Sequence, residues 1–258
     1  MLKQFLLASF ACALAVVSGF GVSTKAEAKP VYTVAMDAAY PPFGSQDLKS
    51  KEYVGYDVDI IKAIAAKEGF AVKIRNLQFD GLIPALRTGN IEINDITITP
   101  DRAKNVDFSH RYYIAGLGVV VQKNNRTIRT AKDLEGKRLG VSIGSTGEEA
   151  ARKIKNADVH VYNQLNEAYL EIRNGGVDAV VNDIPTNDYY VATAGRGAVK
   201  ALPVALTQED LGIAVKKGNT KLLTQINDGL AKIKKDGEFA KIYHKWFGKQ
   251  PPKALLHD

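Results

Sequence analysis

From about residue 30 onward this chain repeats one pattern: a short apolar strand, a turn, an amphipathic helix, and another strand. Val31–Met36 alternates as a half-buried strand does. Asp57 then suits the cap of a helix whose apolar face is Val58, Ile61, Ile64 and Ala65, with Lys62, Lys67 and Glu68 outward and Gly69 as its stop. Residues 71–77 form a second strand. Asp80 starts a further helix that tolerates Pro84 in its first turn and closes at Gly89. Residues 138–143, 159–162 and 177–181 are further short strands with helical segments between them. Such alternation predicts an α/β protein with helices layered on mostly parallel sheets. The C-terminus is helical, with one stripe of Leu222, Leu223, Ile226, Leu230 and Ile233 and another of Phe239, Ile242, Tyr243 and Trp246. Those aromatics suit core packing rather than a cofactor box.

One internal echo bears on domain layout. Leu117 to Lys123 and Leu211 to Lys217 share the pattern Leu-Gly-β-x-Val-x-Lys, 94 residues apart. A chain that leaves a first lobe, builds a second and returns crosses twice, and similar strands at both crossings suit a hinge. The expected division is a first lobe of 29–116 with 213–258 and a second lobe of 117–212.

Residues 1–28 read as an export signal. Lys3 precedes a nearly unbroken apolar run over 5–22, and Ala26-Glu27-Ala28 is a small-x-small cleavage pattern, so the mature chain is expected to start at Lys29 in the periplasm. The apolar run is borderline for a membrane span, which needs about 20 residues. Lipid attachment at Cys12, the only cysteine, is not expected, because Phe10 stands where a small residue is preferred and the apolar run continues past it. Cleavage after Ala28 leaves no disulfide framework, thiolate metal site or cysteine nucleophile. No metal and no cofactor are expected.

The formal net charge is +7 and the pI about 9.2. The basic residues are scattered, however, and Lys232-Ile233-Lys234-Lys235 has Asp236 and Glu238 beside it. That pattern is a solvated surface, not a nucleic-acid footprint. With 45% apolar and 24% charged residues the chain has an ordinary globular composition, and a monomer is expected.

The chemistry concentrates where strands end. Thr97-Ile98-Thr99-Pro100-Asp101-Arg102 places an arginine on the first turn of a helix, with Thr99 as cap and Pro100 where its missing N–H costs nothing. The helix N-terminus favours an anion, and the guanidinium fork holds a carboxylate by two parallel hydrogen bonds. Other strand ends carry Asp37 with Tyr40, Gly55 with Tyr56 and Asp57, and Asp95 with Thr97. They also carry the turn of Ser145 and Thr146, and the pair Asn182 and Asp183. Ser145 with Glu148 makes a capping box. A zwitterion needs this combination: an arginine and helix N-termini for its carboxylate, an acid for its ammonium.

The residues so collected resemble the family-3 solute-binding proteins of bacterial ABC transporters. The resemblance is carried by Tyr40-Pro41-Pro42-Phe43, by Gly55-Tyr56-Asp57-Val58-Asp59, by the run Phe79 to Leu86, and by Ile98 to Arg102. Val106-Asp107-Phe108-Ser109, Gly144-Ser145-Thr146-Gly147 and Lys245-Trp246-Phe247-Gly248 continue it in the family's order across nearly all of the mature chain. It implies a two-lobe periplasmic binding protein (type II) fold, in which two hinge segments let the lobes close on a polar L-amino acid before docking on an inner-membrane ABC permease. By the resemblance, Arg102 and Thr97 take the α-carboxylate, helped by Thr146 and the turn at Ser145. Asp183 takes the ammonium together with the backbone around Asp95, Tyr40 and Tyr56 flank the side chain, and Asp37 meets its polar tip. The chain departs from the family pattern at Phe79, where tryptophan is usual, at His110, and over 89–95, which is about two residues shorter. Asp95 replaces a small residue and favours arginine, lysine or histidine as ligand, whereas Asn182 beside Asp183 suits the amide of glutamine.

Two other functions compete. Gly140-Val141-Ser142-Ile143-Gly144 matches a nucleophile elbow, with Asp183 and His244 following in hydrolase order. The strand assignment puts Ser142 before the turn, however, which disfavours it. A periplasmic dehydratase or a sensor module on the same binding fold is the second alternative.

Overall fold

The computed structural model describes residues 29–88 and 90–256. The export signal, Cys12 and the closure of a helix at Gly89 lie outside the described residues. No helix among the described residues is long and apolar enough to cross a membrane.

In chain order, β1 (Val31–Met36) leads through a small meander of β2 (Ala39–Tyr40), β3 (Gly44–Gln46) and β4 (Tyr53–Val54) into α1 (Tyr56–Glu68) and β5 (Ala71–Asn76). The short helix α2 (Leu82–Ala85), β6 (Ile91–Glu92), the one-turn α3 (Pro100–Ala103), β7 (Val106–Phe108) and β8 (Tyr113–Ala115) follow. Next come β9 (Leu117–Gln122), β10 (Arg138–Ser142), α4 (Thr146–Arg152), β11 (Asp158–Tyr162), α5 (Leu165–Asn174), β12 (Ala179–Asp183), α6 (Ile184–Ala192) and β13 (Val199–Ala201). The chain then returns through β14 (Glu209–Leu211) and β15 (Ala214–Lys216) to α7 (Thr220–Lys235) and α8 (Glu238–Phe247).

Two five-stranded sheets result, in the orders β5-β1-β6-β15-β7 and β11-β10-β12-β9-β13. Each is mixed, with four strands running in one direction and one against them. β1 runs parallel to β5 and β6, but β15 is antiparallel to β6 and β7. In the second sheet β10 is parallel to β11 and β12, but β9 is antiparallel to β12 and β13. The antiparallel members are β9 and β15, which enter straight from the crossings without a helical crossover to reverse them. β8 and β14 pair with each other in register Tyr113↔Leu211 and Ala115↔Glu209, so the two crossings form one ribbon. Gly116 sits where a Cβ would come within 2.2 Å of the Thr207 carbonyl oxygen, a close approach that only glycine permits.

The C-terminal stripes fold back as expected. Leu222, Ile226, Leu230 and Ile233 of α7, with Phe239 and Tyr243 of α8, pack on Ile61 and Ile64 of α1 and Val34 of β1. The second lobe has its own core of Leu139, Val141, Ala151, Ala179 and Val181. A third cluster mixes the lobes, placing Tyr40, Phe79 and Leu82 against Leu165, Ala168 and Tyr169 of α5.

Two helix starts differ from the sequence expectation. Asp57 is the second residue of α1, not its cap. Gly55 takes the cap position at φ 148°, because a Cβ there would meet the Phe43 carbonyl oxygen at 2.0 Å. Asp80 lies inside a 3-10 turn, Phe79–Gly81, that precedes α2. The stop at Gly69 is as expected, with φ 72° in the left-handed region.

Candidate ligand-binding cleft

The Thr97–Arg102 segment is built as its sequence suggests. Thr99 Oγ1 accepts the Arg102 N–H at 3.2 Å, and Pro100 opens the turn. The short turn leaves Arg102 mostly buried, with its guanidinium carbon 5.7 Å from the centre of the Phe79 ring. Its Nη1 donates to the Thr97 carbonyl and its Nη2 to the Gly144 carbonyl, both at 3.0 Å. One bond stays in the first lobe and the other reaches the second. Of five guanidinium N–H donors, three are left over.

Facing it, α4 begins at Thr146 with Ser145 as cap. Ser145 Oγ accepts the Glu148 N–H at 3.1 Å and donates to the Ser142 carbonyl at 2.7 Å. The expected capping box is not closed, because Glu148 reaches one residue further back and accepts from the Gly144 N–H at 2.8 Å. Thr97 and Thr146, one from each lobe, both direct their hydroxyls at the carboxylate of Glu209.

The acids gather close by. Asp37 directly follows β1 and takes the Ala39 N–H on Oδ1 at 3.0 Å, with the Phe79 N–H also near its carboxylate; Oδ2 has no close partner. Burial pushes its carboxyl up to about 6, against the pull of two backbone N–H groups. Asp95 adopts φ 54°, donates its N–H to Asp57 Oδ2 at 3.0 Å, and accepts from Thr186 Oγ1 across the lobes at 3.2 Å. Asp183 stands at the start of α6 without capping it and keeps Oδ1 unpartnered. Burial raises both of these carboxyls well above the usual range; Asp183 adds to the rise at Asp95 by repulsion, and Arg102 offsets part of the rise at Asp183. Glu92, deeper in the first sheet, is raised to about 8 by burial and eased by Arg102. The shorter 89–95 segment still seats its residues under β1, where Asn94 Oδ1 accepts the Asp37 N–H at 3.0 Å.

Tyr40 is fully buried in the cluster that spans both lobes, 5.2 Å from the Phe79 ring, with its hydroxyl beside Ser142. Tyr56 departs from its expected place. It lies in the first-lobe core among Phe43, Tyr112, Tyr113, Tyr243 and Phe247, and its hydroxyl donates to the Tyr112 carbonyl at 3.0 Å. A residue that opens α1 points its ring back into that lobe, which removes Tyr56 from the cleft.

Buried polar side-chain atoms that find no partner concentrate in this region. Among the described residues they include atoms of Asp37, Tyr40, Asn94, Asp95, Ser142, Asn182 and Asp183. Native interiors rarely leave such atoms unpaired, which makes this region a candidate binding site. A cavity of about 700 Å³ is lined by Thr97, Pro100, Thr146, Lys153, Thr207 and Glu209. Asp37, Asp95 and Asp183 do not line it, so it is separate from the cluster of acids. Ser142 ends β10 with a buried hydroxyl lacking a partner, while His244 is exposed on α8, so the two make no nucleophile–base pair. Sequence patterns did not single out Glu209, Glu92 or Thr186.

Comparison with known proteins agrees with this geometry. Residues 32–249 match the model for bacterial extracellular solute-binding proteins, family 3. The L-cystine-binding protein TcyJ of Escherichia coli K12 is 33% identical over 233 residues, covering 88% of this chain and 86% of that protein. The L-arginine-binding protein of Pseudomonas aeruginosa is 35% identical over 249 residues, covering 92% and 94%. A solved structure of an ancestral arginine-binding protein bound to arginine superposes with a TM-score of 0.81 at 41% identity, covering 85% and 99%. With its two mixed sheets, its paired crossings and a cleft walled by one arginine and several acids, the chain belongs to the family-3 extracellular solute-binding proteins and has their two-lobe type II fold.

Proposed function

We propose that this protein binds an L-amino acid with a cationic side chain in the periplasm and delivers it, by closure of its lobes, to an inner-membrane ABC permease. One observation carries the reading: Arg102 of the first lobe reaches across to the second, and partly unpaired carboxylates of Asp37 and Asp95 from the first lobe and Asp183 from the second are buried in the same region. The roles follow from charge. The free N–H groups of Arg102, with the main chain at Thr97 and the turn of Ser145 and Thr146, take the α-carboxylate. Asp183 takes the α-ammonium. Asp37 and Asp95 take the positive end of the side chain, and Tyr40 covers its length. Asn182 adds an amide that lacks partners of its own. Relatives named for arginine and cystine support an amino acid as the ligand. No reaction is proposed, since the hydroxyl of Ser142 has no base beside it.

Buried carboxylates favour a cation over the neutral amide of glutamine, because each loses solvation that only an opposite charge restores. A thermal-shift screen of the twenty amino acids, followed by calorimetry, tests this. Arginine, lysine or histidine is expected to give the largest stabilisation, about 2.7 kcal/mol when the ligand is at 100 times its Kd. Stabilisation by none of the twenty overturns the reading, and a preference for glutamine overturns its cationic part.

A further inference from the structure

We propose that Glu209 is a clasp between the lobes: its single carboxylate binds a hydroxyl from each lobe, holds the closed form together and slows ligand release. The proposal rests on closure around an amino acid and adds a residue that takes no part in charge recognition of the ligand.

Three hydroxyls converge on this side chain. Thr97 Oγ1 of the first lobe donates to Oε2 at 2.6 Å, and Thr146 Oγ1 of the second lobe donates to the same atom at 2.9 Å. Thr207 Oγ1, on the returning crossing, donates to Oε1 at 2.8 Å. Glu209 is mostly buried, so these bonds act in a poorly screened setting where hydrogen bonds to a charged group count most.

The backbone shows which bond opens. Glu209 belongs to β14 and pairs with Ala115 of the other crossing, close to the axis about which the lobes turn. Thr97 is tied to the same ribbon: it bridges Leu211, flanked by Ile98 N–H donating to the Asp210 carbonyl at 2.8 Å and Gly212 N–H donating to the Ile96 carbonyl at 3.1 Å. Thr97 therefore moves with Glu209, whereas Thr146 moves with the second lobe. Opening the cleft breaks the Thr146 bond and leaves the other two. The same bridge is of the non-hydrogen-bonded kind, so the Thr97 N–H points away from β14. With its hydroxyl committed to Glu209, Thr97 can serve the ligand only through that main-chain group.

A purely architectural role does not explain an acid here. Glu209 adds repulsion at both Asp183 and Asp95. A neutral amide would hold three hydroxyls without that cost, though with one acceptor atom in place of two.

Stopped-flow and calorimetric binding of L-arginine to wild type, Glu209→Gln, Glu209→Ala and Thr146→Val tests the clasp. Glu209→Ala is expected to release the ligand about 10–100 times faster, the effect of one hydrogen bond to a charge, with its association rate little changed. Thr146→Val is expected to do much the same, and the double variant no worse than the weaker single one. Glu209→Gln, which keeps one acceptor atom, falls between. Additive losses, or a loss confined to association, overturn the clasp; slower association equal in the Gln and Ala variants reassigns Glu209 to electrostatic attraction of the ligand. A spin label on Lys155→Cys, read through relaxation of first-lobe amides in ligand-free protein, gives a binding-independent readout. If wild type binds no amino acid, the proposed function fails, while a smaller closed population in Glu209→Ala still supports the clasp and an unchanged one rejects it.

Discussion

Tyr40 and Tyr56 are the same residue type, both fully buried and both followed or preceded by motif residues, yet they do different work. The ring of Tyr56 is surrounded by aromatics of its own lobe and its hydroxyl is paired with the Tyr112 carbonyl. The ring of Tyr40 packs on residues from both lobes, and its hydroxyl has no partner in its own lobe and lies beside Ser142 of the other. Burial alone therefore does not separate a core residue from a cleft residue in a closed two-lobe protein. What separates them is whether the polar end is satisfied within one lobe, because only a satisfied group can stay buried when the other lobe moves away.

The sharpest break of this comparison is truncation of each ring. Tyr56→Ala is expected to cost about 3–5 kcal/mol of folding stability, the usual loss for a buried aromatic, as measured by denaturant unfolding. Tyr40→Ala should cost affinity for the ligand and much less stability; equal destabilisation of both would erase the distinction. Next in size is Arg102→Ala, which leaves a ligand carboxylate unpaired and also cuts a bond to Gly144 of the other lobe. About 3 kcal/mol of binding energy should be lost, and affinity unchanged by calorimetry would reject the role of Arg102. The smallest effect is pH. The carboxyl of Asp37 is raised in the folded protein to about 6 from 3.8, so it is protonated at about pH 5 and must lose that proton to meet a cation. Affinity for L-arginine is expected to rise between about pH 5 and 7, by no more than about tenfold. In the ligand-free protein the same shift gives stability that is present below pH 3.8 and lost as pH rises through 6. Asp37→Asn should flatten the part of the rise centred near pH 6 and leave the part at higher pH, where Asp183 and Asp95 titrate; an unchanged rise between about pH 5 and 7 in this variant points to another group.

The layered plan, the helix stop at Gly69 and the cap at Thr99 were legible because each rests on local chemistry: periodicity, a turn residue, a strand end. The failures share a cause too. Tyr56 follows Gly55 at the start of α1, and which way its ring turns depends on Phe43, Tyr112 and α8, residues far off in sequence. Asp57 looked like a cap because acids favour caps, but the close approach of Phe43 reserves that place for Gly55. Glu209 gave no signal because its three hydroxyl partners lie on separate segments. The antiparallel strands β9 and β15 escaped notice because a strand's direction is set by how the chain re-enters a sheet, not by its composition.

Asp95 carries a further consequence. An acid at φ 54° gives up backbone comfort, and glycine at that position would relieve the conformation and delete a carboxylate in the same step. That gain would be set against the loss of the Thr186 hydrogen bond and the greater freedom of an unfolded glycine. One side chain at a strained backbone position thus joins the conformation of the first lobe to its tie with the second.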